Sequence, residues 1–170
     1  MFKFDGMEKM TVEQKYKYML ILLEGQLSSE EDPLANICNA TAIIYRVMDR
    51  LNWSGFYLMK NNELILGPFQ GLPACNRIAV GKGVCGTAVY EKETQRIENV
   101  NEFPGHIACD SASKSELVIP IIKDKVVYGV LDLDSPEFNR FTEMEQKYLE
   151  LFVEKLNKYI NWDKVCNIRA

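Results

Sequence analysis

The sequence lacks the features that identify several large classes of protein. It contains one histidine, and no apolar run approaches the roughly 20 residues that a membrane-spanning helix needs. The N-terminal residues MFKFDGMEKM lack the apolar core of a signal peptide. The 24 acidic and 20 basic residues are interspersed, so the net charge of −4 leaves no basic field to hold a phosphate backbone. We therefore expect a cytoplasmic protein, with a nuclear location also compatible, that binds neither membranes nor nucleic acids.

Length and cysteine content narrow the choice further. With 170 residues, 47% of them hydrophobic, the chain can build one substantial core, which predicts a single domain over 1–170 with its core at about 11–160 and a tail at 161–170. Five cysteines without a secretion signal are expected to be reduced at rest, which favours catalytic, redox or metal roles over structural disulfides. Cys38, inside an apolar helical stretch, is interpreted as a core residue, and Cys166 falls in the tail with no evident role.

Hydrophobic periodicity predicts an α+β fold. A capping box, T-x-x-Q from Thr11, begins one helix, Asp32 followed by proline begins a second that ends near Asn52, and a second capping box from Thr142 begins the last. Segments in which apolar residues alternate with a period of two predict strands near 53–60, 63–70, 77–80, 95–99, 116–122 and 126–134. A glycine-rich turn begins a brief helix near 84–91. Hairpin connections indicate an antiparallel sheet, with the first two helices and the last on one face and two long loops on the other.

Carboxylates interrupt an apolar row in the last hairpin. In VVYGVLDLD, every second residue from Val126 to Asp134 shares a face, so Asp132 and Asp134 continue that row. If KDK is a three-residue turn, Ile122 pairs with Val126 and Glu116 lies opposite Asp132. Clustered acids need a shared proton or a cationic ligand such as an ammonium group. The alternative is a solvated strand end whose acids have no function.

Aromatic residues share one face of the first hairpin. Alternation in NWSGFYL places Trp53, Gly55 and Tyr57 together, and their rings could floor a pocket for a methyl or thioether group. Aromatic residues in strands are also common as plain core, and the sequence leaves that alternative open.

Three further cysteines lie within a short stretch of predicted loops. Cys75, Cys85 and Cys109 are too widely spaced for a usual zinc motif, although His106 and Cys109 form an H-x-x-C pair, so a structural zinc module is a weak alternative. A redox role fits better, because a thiol in a long loop beside a histidine can be stabilised as a thiolate. After attack on an oxidised substrate, Cys109 would become a sulfenic acid that a second thiol can capture.

The same segments resemble a known family. LNWSGFYL, GPFQGLPACNRIAVGKGVCGTA, HIACDSASKSELVIPI and GVLDLDSPEFNRF together resemble the GAF-domain free methionine-(R)-sulfoxide reductases, over about Ala35 to Tyr159. The resemblance implies a GAF-like single domain that reduces free L-methionine-(R)-sulfoxide, with thioredoxin as the external reductant and no metal or other cofactor. The sequence does not decide between a monomer and a homodimer.

The resemblance also implies roles for individual residues. It makes Cys109 the nucleophile, Cys75 the principal resolving thiol and Cys85 a possible second resolving thiol. It assigns the substrate pocket and its acid cluster to Glu116, Asp132, Asp134, Trp53 and Tyr57. A non-catalytic GAF domain that senses a ligand or redox state is the alternative function, although the chain has no spare length for an output module.

Overall fold

An antiparallel sheet organises the protein, whose computed structural model describes residues 2–105 and 111–166. Within this part of the chain six strands have the spatial order β3-β2-β1-β6-β5-β4. The strands are β1 (Trp53–Lys60), β2 (Glu63–Gly71), β3 (Arg77–Ala79), β4 (Gln95–Ile97), β5 (Ser115–Lys123) and β6 (Val126–Ser135). The helices are α1 (Val12–Ser29), α2 (Pro33–Val47), α3 (Gly83–Glu91), α4 (Glu143–Tyr159) and α5 (Trp162–Cys166), with 3-10 turns at Met7–Lys9 and Val100–Glu102. The fold is α+β, as predicted.

Capping residues start the long helices where the sequence predicts. Thr11 and Thr142 each form both hydrogen bonds of a capping box, and the Asp32 side chain accepts from a backbone amide in the first turn of α2. The predicted end of α2 near Asn52 is wrong. The helix ends at Val47, because the next residue is extended and Arg50 takes a left-handed conformation with φ 59°.

The two faces of the sheet differ as expected. One face packs against α2, α4 and α5, and α1 packs against α2 and α4, so that all four helices contribute to the larger core. The other face carries a smaller apolar cluster together with α3 and the loops around it. No helix among residues 2–105 and 111–166 is long and apolar enough to cross a bilayer. This layering leaves the second face available for a pocket.

Three packing predictions are wrong. Cys38 is exposed, because α2 turns Ile37 and Ala40 inward and so directs the intervening position outward. Residues 161–166 are not a tail, because α5 buries its first and last residues and the Cys166 thiol donates to a β6 carbonyl at 3.2 Å. Helical spacing in the sequence also groups Met144 with Tyr148, Phe152 and Leu156 in one apolar stripe, but Met144 is 40% exposed at the first turn of α4.

The register of the last hairpin also differs from the prediction. Residues 124–125 form a two-residue turn with φ of 51° and 67°, both in the left-handed region that such tight turns require. A β-bulge follows the turn, and beyond it Glu116 pairs with Asp134 rather than with Asp132. The pairing is thus displaced by two residues, and since side chains alternate with a period of two, all three acids still share one face. The bulge also removes Tyr128 from this row, into the helix-side core.

Candidate active site

A pocket opens over the centre of the sheet on the face that carries α3. Trp53 of β1 pairs with Asp134 of β6, Gly55 pairs with Asp132, and Glu116 of β5 lies across from Asp134. The space between the lining atoms amounts to about 520 Å³, a figure that includes open solvent at the mouth of the pocket. Its lining also includes Tyr57, Leu72, Pro73, Ala74, Ile78, Gly83, Val84, Cys85 and Ser113.

Two of the carboxyl groups are buried with a thiol. Glu116 is 6% exposed, Asp132 5% and Cys85 3%, and the Cys85 thiol donates to Glu116 Oε1 at 4.0 Å. Burial raises the pKa of Asp132 to about 7, even though hydrogen bonds from Cys85 and Glu116 lower it. Burial, reinforced by the neighbouring Asp132 charge, raises the pKa of Glu116 well above its usual value and does the same for the Cys85 thiol. At neutral pH the cluster therefore holds a proton that Glu116 donates to Asp132.

One oxygen of this cluster is available for a ligand. Asp132 Oδ1 is buried and has no hydrogen-bond partner among the described residues. An unpaired buried carboxylate oxygen is costly, and a donor on a bound molecule would remove that cost. Asp134, at the neighbouring position of the same face, is only partly buried and lines the pocket. The acids are thus part of a pocket wall and not a solvated strand end.

The aromatic residues belong both to the core and to the pocket. Trp53 and Tyr57 are each 2% exposed, and their rings stack with centroids 5.8 Å apart. Trp53 Nε1 donates to the Leu72 carbonyl at 3.2 Å, and the Tyr57 hydroxyl donates to the Cys75 carbonyl at 3.0 Å. These two bonds fasten the β2–β3 loop over the pocket. The interpretations as core and as pocket floor are therefore compatible.

The cysteines divide into distinct groups. Cys75, in the β2–β3 loop, takes part in a disulfide bond, so the expectation of reduced thiols is wrong for this residue, whereas Cys38, Cys85 and Cys166 carry free thiols as expected. Cys85 lies in α3 and not in a loop, directly beside the acids. The predicted nucleophile Cys109 and its neighbour His106 lie outside the described residues.

A metal ion is also chemically compatible with part of this cluster. Cys85, Glu116 and Asp132 each offer one ligand atom, and these atoms lie within 4.8 Å of one another. Zinc accepts such sulfur and oxygen ligands. The expectation that the protein needs no metal therefore stays a prediction.

Sequence reasoning missed one polar residue of the pocket. Ser113 is 8% exposed, lines the pocket and accepts a hydrogen bond from Asn52 Nδ2 at 3.0 Å. The sequence places Ser113 in the segment SASKS, three residues before Glu116, and this proximity was the one indication that it could line the pocket. Serine is so common in loops that the motif alone does not distinguish it from its neighbours.

Known proteins share both the sequence and the fold. The GAF domain family model matches residues 40–158. Protein YtsP of Bacillus subtilis is 53% identical over 86% of this chain and 91% of its own length. The free methionine-R-sulfoxide reductase of Escherichia coli is 48% identical over 79% of this chain and 81% of its own.

A solved structure extends the comparison to three dimensions. The free methionine-R-sulfoxide reductase of Neisseria meningitidis, in complex with its substrate, superposes with a TM-score of 0.84 at 38% identity, covering 88% of this chain and 90% of that one. The chain therefore belongs to the GAF-domain family and, within it, to the free methionine-R-sulfoxide reductases, a family of enzymes.

Proposed function

We propose that the protein reduces free L-methionine-(R)-sulfoxide to L-methionine, with Cys109 as the nucleophile. The observation that carries the proposal is the buried, proton-sharing pair of Glu116 and Asp132 in an aromatic-walled pocket. The disulfide-bonded state of Cys75 and the names of the similar reductases support it. A pocket with these groups suits a small zwitterion that carries a polarisable sulfoxide.

The acids would supply the proton that the reaction requires. A sulfoxide sulfur becomes electrophilic when its oxygen is protonated or hydrogen-bonded, and a carboxyl group whose pKa is raised by burial stays protonated at neutral pH to do this. Glu116 is the proposed donor, because its pKa is raised well above the usual value. The carboxylates of Asp132 and Asp134 would hold the substrate ammonium group.

The redox steps balance with two protein thiols and one external dithiol. The Cys109 thiolate attacks the sulfur, and the sulfoxide oxygen is transferred to yield methionine and a sulfenic acid on Cys109. The Cys75 thiol then displaces water from the sulfenic acid and forms a disulfide. The dithiol of thioredoxin reduces that disulfide back to two thiols and becomes oxidised itself. Cys85, buried beside the acids, is a possible second resolving thiol.

Turnover by the whole chain tests the proposal. Wild type, Cys109→Ser and the control Cys38→Ser, whose thiol is exposed, are assayed with free L-methionine-(R)-sulfoxide, thioredoxin, thioredoxin reductase and NADPH. We expect NADPH consumption by wild type and Cys38→Ser and none by Cys109→Ser. An inactive wild type that still binds the sulfoxide would instead favour a non-catalytic GAF sensor.

A single-turnover measurement separates the first step from resolution. Cys75→Ser should release about one methionine per chain without reductant and then cycle poorly, because its sulfenic acid lacks the principal resolving partner. Wild-type steady-state turnover by Cys75→Ser would contradict the role given to that thiol.

A further inference from the structure

Ser113 sits at a fixed point on the rim of the pocket. Its hydroxyl oxygen accepts a hydrogen bond from the Asn52 side-chain nitrogen Nδ2 at 3.0 Å. The backbone amide of Asn52 donates to the backbone carbonyl of Asp134 at 3.1 Å. The next residue, Lys114, donates through its backbone amide to the Ser135 carbonyl at 2.8 Å. Ser113 is thereby held next to the end of β6 that carries Asp134. Its hydroxyl has a defined position and little freedom to move.

The hydrogen of this hydroxyl is available for a ligand. Asn52 donates to the Ser113 oxygen, so the Ser113 hydrogen must point elsewhere. No residue in the described ranges 2–105 and 111–166 accepts it. Because Ser113 is 8% exposed and lines the pocket, the direction left for the hydrogen includes the pocket interior.

Other neutral donors on the pocket wall are already used. The indole of Trp53 donates to the Leu72 carbonyl, and the hydroxyl of Tyr57 donates to the Cys75 carbonyl. The Cys85 thiol is directed at Glu116. Among the side chains of the described lining, Ser113 is therefore the neutral donor that remains for a bound molecule.

An amino-acid ligand needs such a donor at this place. Its ammonium and carboxylate groups are attached to one carbon, so a pocket that binds the ammonium at Asp134 must also accommodate a carboxylate close to that acid. The neighbouring acids repel this carboxylate, and a hydrogen-bond donor beside them offsets the repulsion. Ser113 lies beside Asp134 and meets this requirement.

We propose that the Ser113 hydroxyl donates a hydrogen bond to the α-carboxylate of the substrate and so selects free methionine sulfoxide over forms whose carboxyl group is blocked. The proposal rests on the proposed function. Asn52 acts as a positioning residue, because it occupies the oxygen of the hydroxyl and directs the hydrogen toward the pocket. A hydrogen bond to a charged carboxylate is stronger than one to a neutral amide, so blocking the carboxyl group weakens binding.

The test compares two substrates in several variants. Initial rates are measured for wild type, Ser113→Ala and the control Ser111→Ala, which changes an exposed serine two positions away. The substrates are L-methionine-(R)-sulfoxide and its carboxamide. For the free acid, Ser113→Ala should raise KM by about 10- to 100-fold with kcat within a few-fold of wild type, as expected for loss of a hydrogen bond to a charged group. For the carboxamide the increase should be less than about threefold, and Ser111→Ala should match wild type with both substrates.

Asn52 is tested by the same comparison. Asn52→Ala should raise KM for the free acid by less than Ser113→Ala does, because the Ser113 hydroxyl remains but is no longer oriented. The KM for the carboxamide should stay unchanged. A purely structural role would instead impair both substrates equally.

The outcomes distinguish this inference from the function on which it rests. If wild type consumes neither substrate, the proposed function fails. If wild type is active and Ser113→Ala has an unchanged KM, or loses kcat to the same extent with both substrates, the assignment of Ser113 to the carboxylate is wrong. Binding of L-methionine-(R)-sulfoxide to Cys109→Ser and to the Cys109→Ser, Ser113→Ala double variant, measured by calorimetry, should show the same loss of affinity without any turnover.

Discussion

Replacing Asp132 by asparagine should change how the stability of the protein depends on pH. Burial raises the pKa of Asp132 from an ordinary 3.8 to about 7 in the folded protein. Between these two values the folded chain binds a proton that the unfolded chain has released. The resulting stabilisation is fully present below the unfolded pKa and is lost as the pH rises through the folded one.

The size of the effect follows from the shift. A difference of about 3 pKa units at roughly 1.4 kcal/mol per unit gives about 4 kcal/mol of unfolding free energy, an upper value because the fold can relax around the charge. An asparagine side chain at this position would keep the shape of the aspartate and could not ionise. The unfolding free energy of Asp132→Asn should therefore fall less between about pH 4 and pH 8, by about 1–4 kcal/mol, than that of wild type. Loss of the Asp132 charge also removes one cause of the raised Glu116 pKa, which flattens the curve further.

Urea unfolding followed by tryptophan fluorescence, with reductant throughout, measures this difference. Asp124→Asn is the matched control, because it removes one carboxylate from the exposed turn between β5 and β6. Its stability curve should run parallel to that of wild type. If Asp132→Asn also runs parallel to wild type, the Asp132 carboxyl group does not bind a proton in the folded protein as its burial requires.

Three further substitutions test other parts of the structure. Gly55→Ala should destabilise the protein and raise KM severalfold, since its new Cβ would lie 2.4 Å from the Phe69 Cβ and 2.6 Å from the Trp53 ring that stacks on Phe69; a wild-type KM would show that displacing these rings does not alter the pocket wall. Ser54→Ala should raise the unfolding free energy by about 1 kcal/mol, because its hydroxyl is buried without a partner among the described residues; a loss of stability in urea unfolding would contradict this. Arg140→Met should lower the unfolding free energy by about 3–5 kcal/mol in the same assay, because the buried Glu145 carboxylate loses the guanidinium group that lies 3.0 Å away. A loss below about 1 kcal/mol would refute that estimate.

Local signals in the sequence are sufficient for most of the helices and strands, though not for α5 or the end of α2, and for much of the site. Capping boxes act within four consecutive residues, so those at Thr11 and Thr142 could be identified directly. The alternation that groups Trp53 with Tyr57 is equally local, and both residues line the pocket. The roles of the individual cysteines follow from the family resemblance, because hydrophobic periodicity carries no information about which thiol reacts.

Other features depend on contacts between distant parts of the chain. Cys166 is buried because α5 folds back so that its thiol meets the Tyr128 carbonyl, and nothing within the last ten residues encodes that partner. Ser113 becomes distinctive through Asn52, which is far away in sequence. Cys38 was misplaced for a different reason: a helix with many apolar residues leaves the orientation of its buried face ambiguous by one position.

The grouping of the acids shows how a wrong register can still predict the correct face. With the two-residue turn alone, Glu116 would pair with Leu133, and Asp132 and Asp134 would lie on the opposite face of the sheet from Glu116. The β-bulge adds one residue to β6, moves the pairing of Glu116 to Asp134 and brings both aspartates to the pocket face beside Glu116. Gly129, directly after the inserted residue, has φ 152°, and a Cβ there would lie 2.2 Å from the Tyr57 carbonyl oxygen, so the strands can close around the bulge only with glycine. The acid cluster therefore depends on this bulge as much as on the acids themselves.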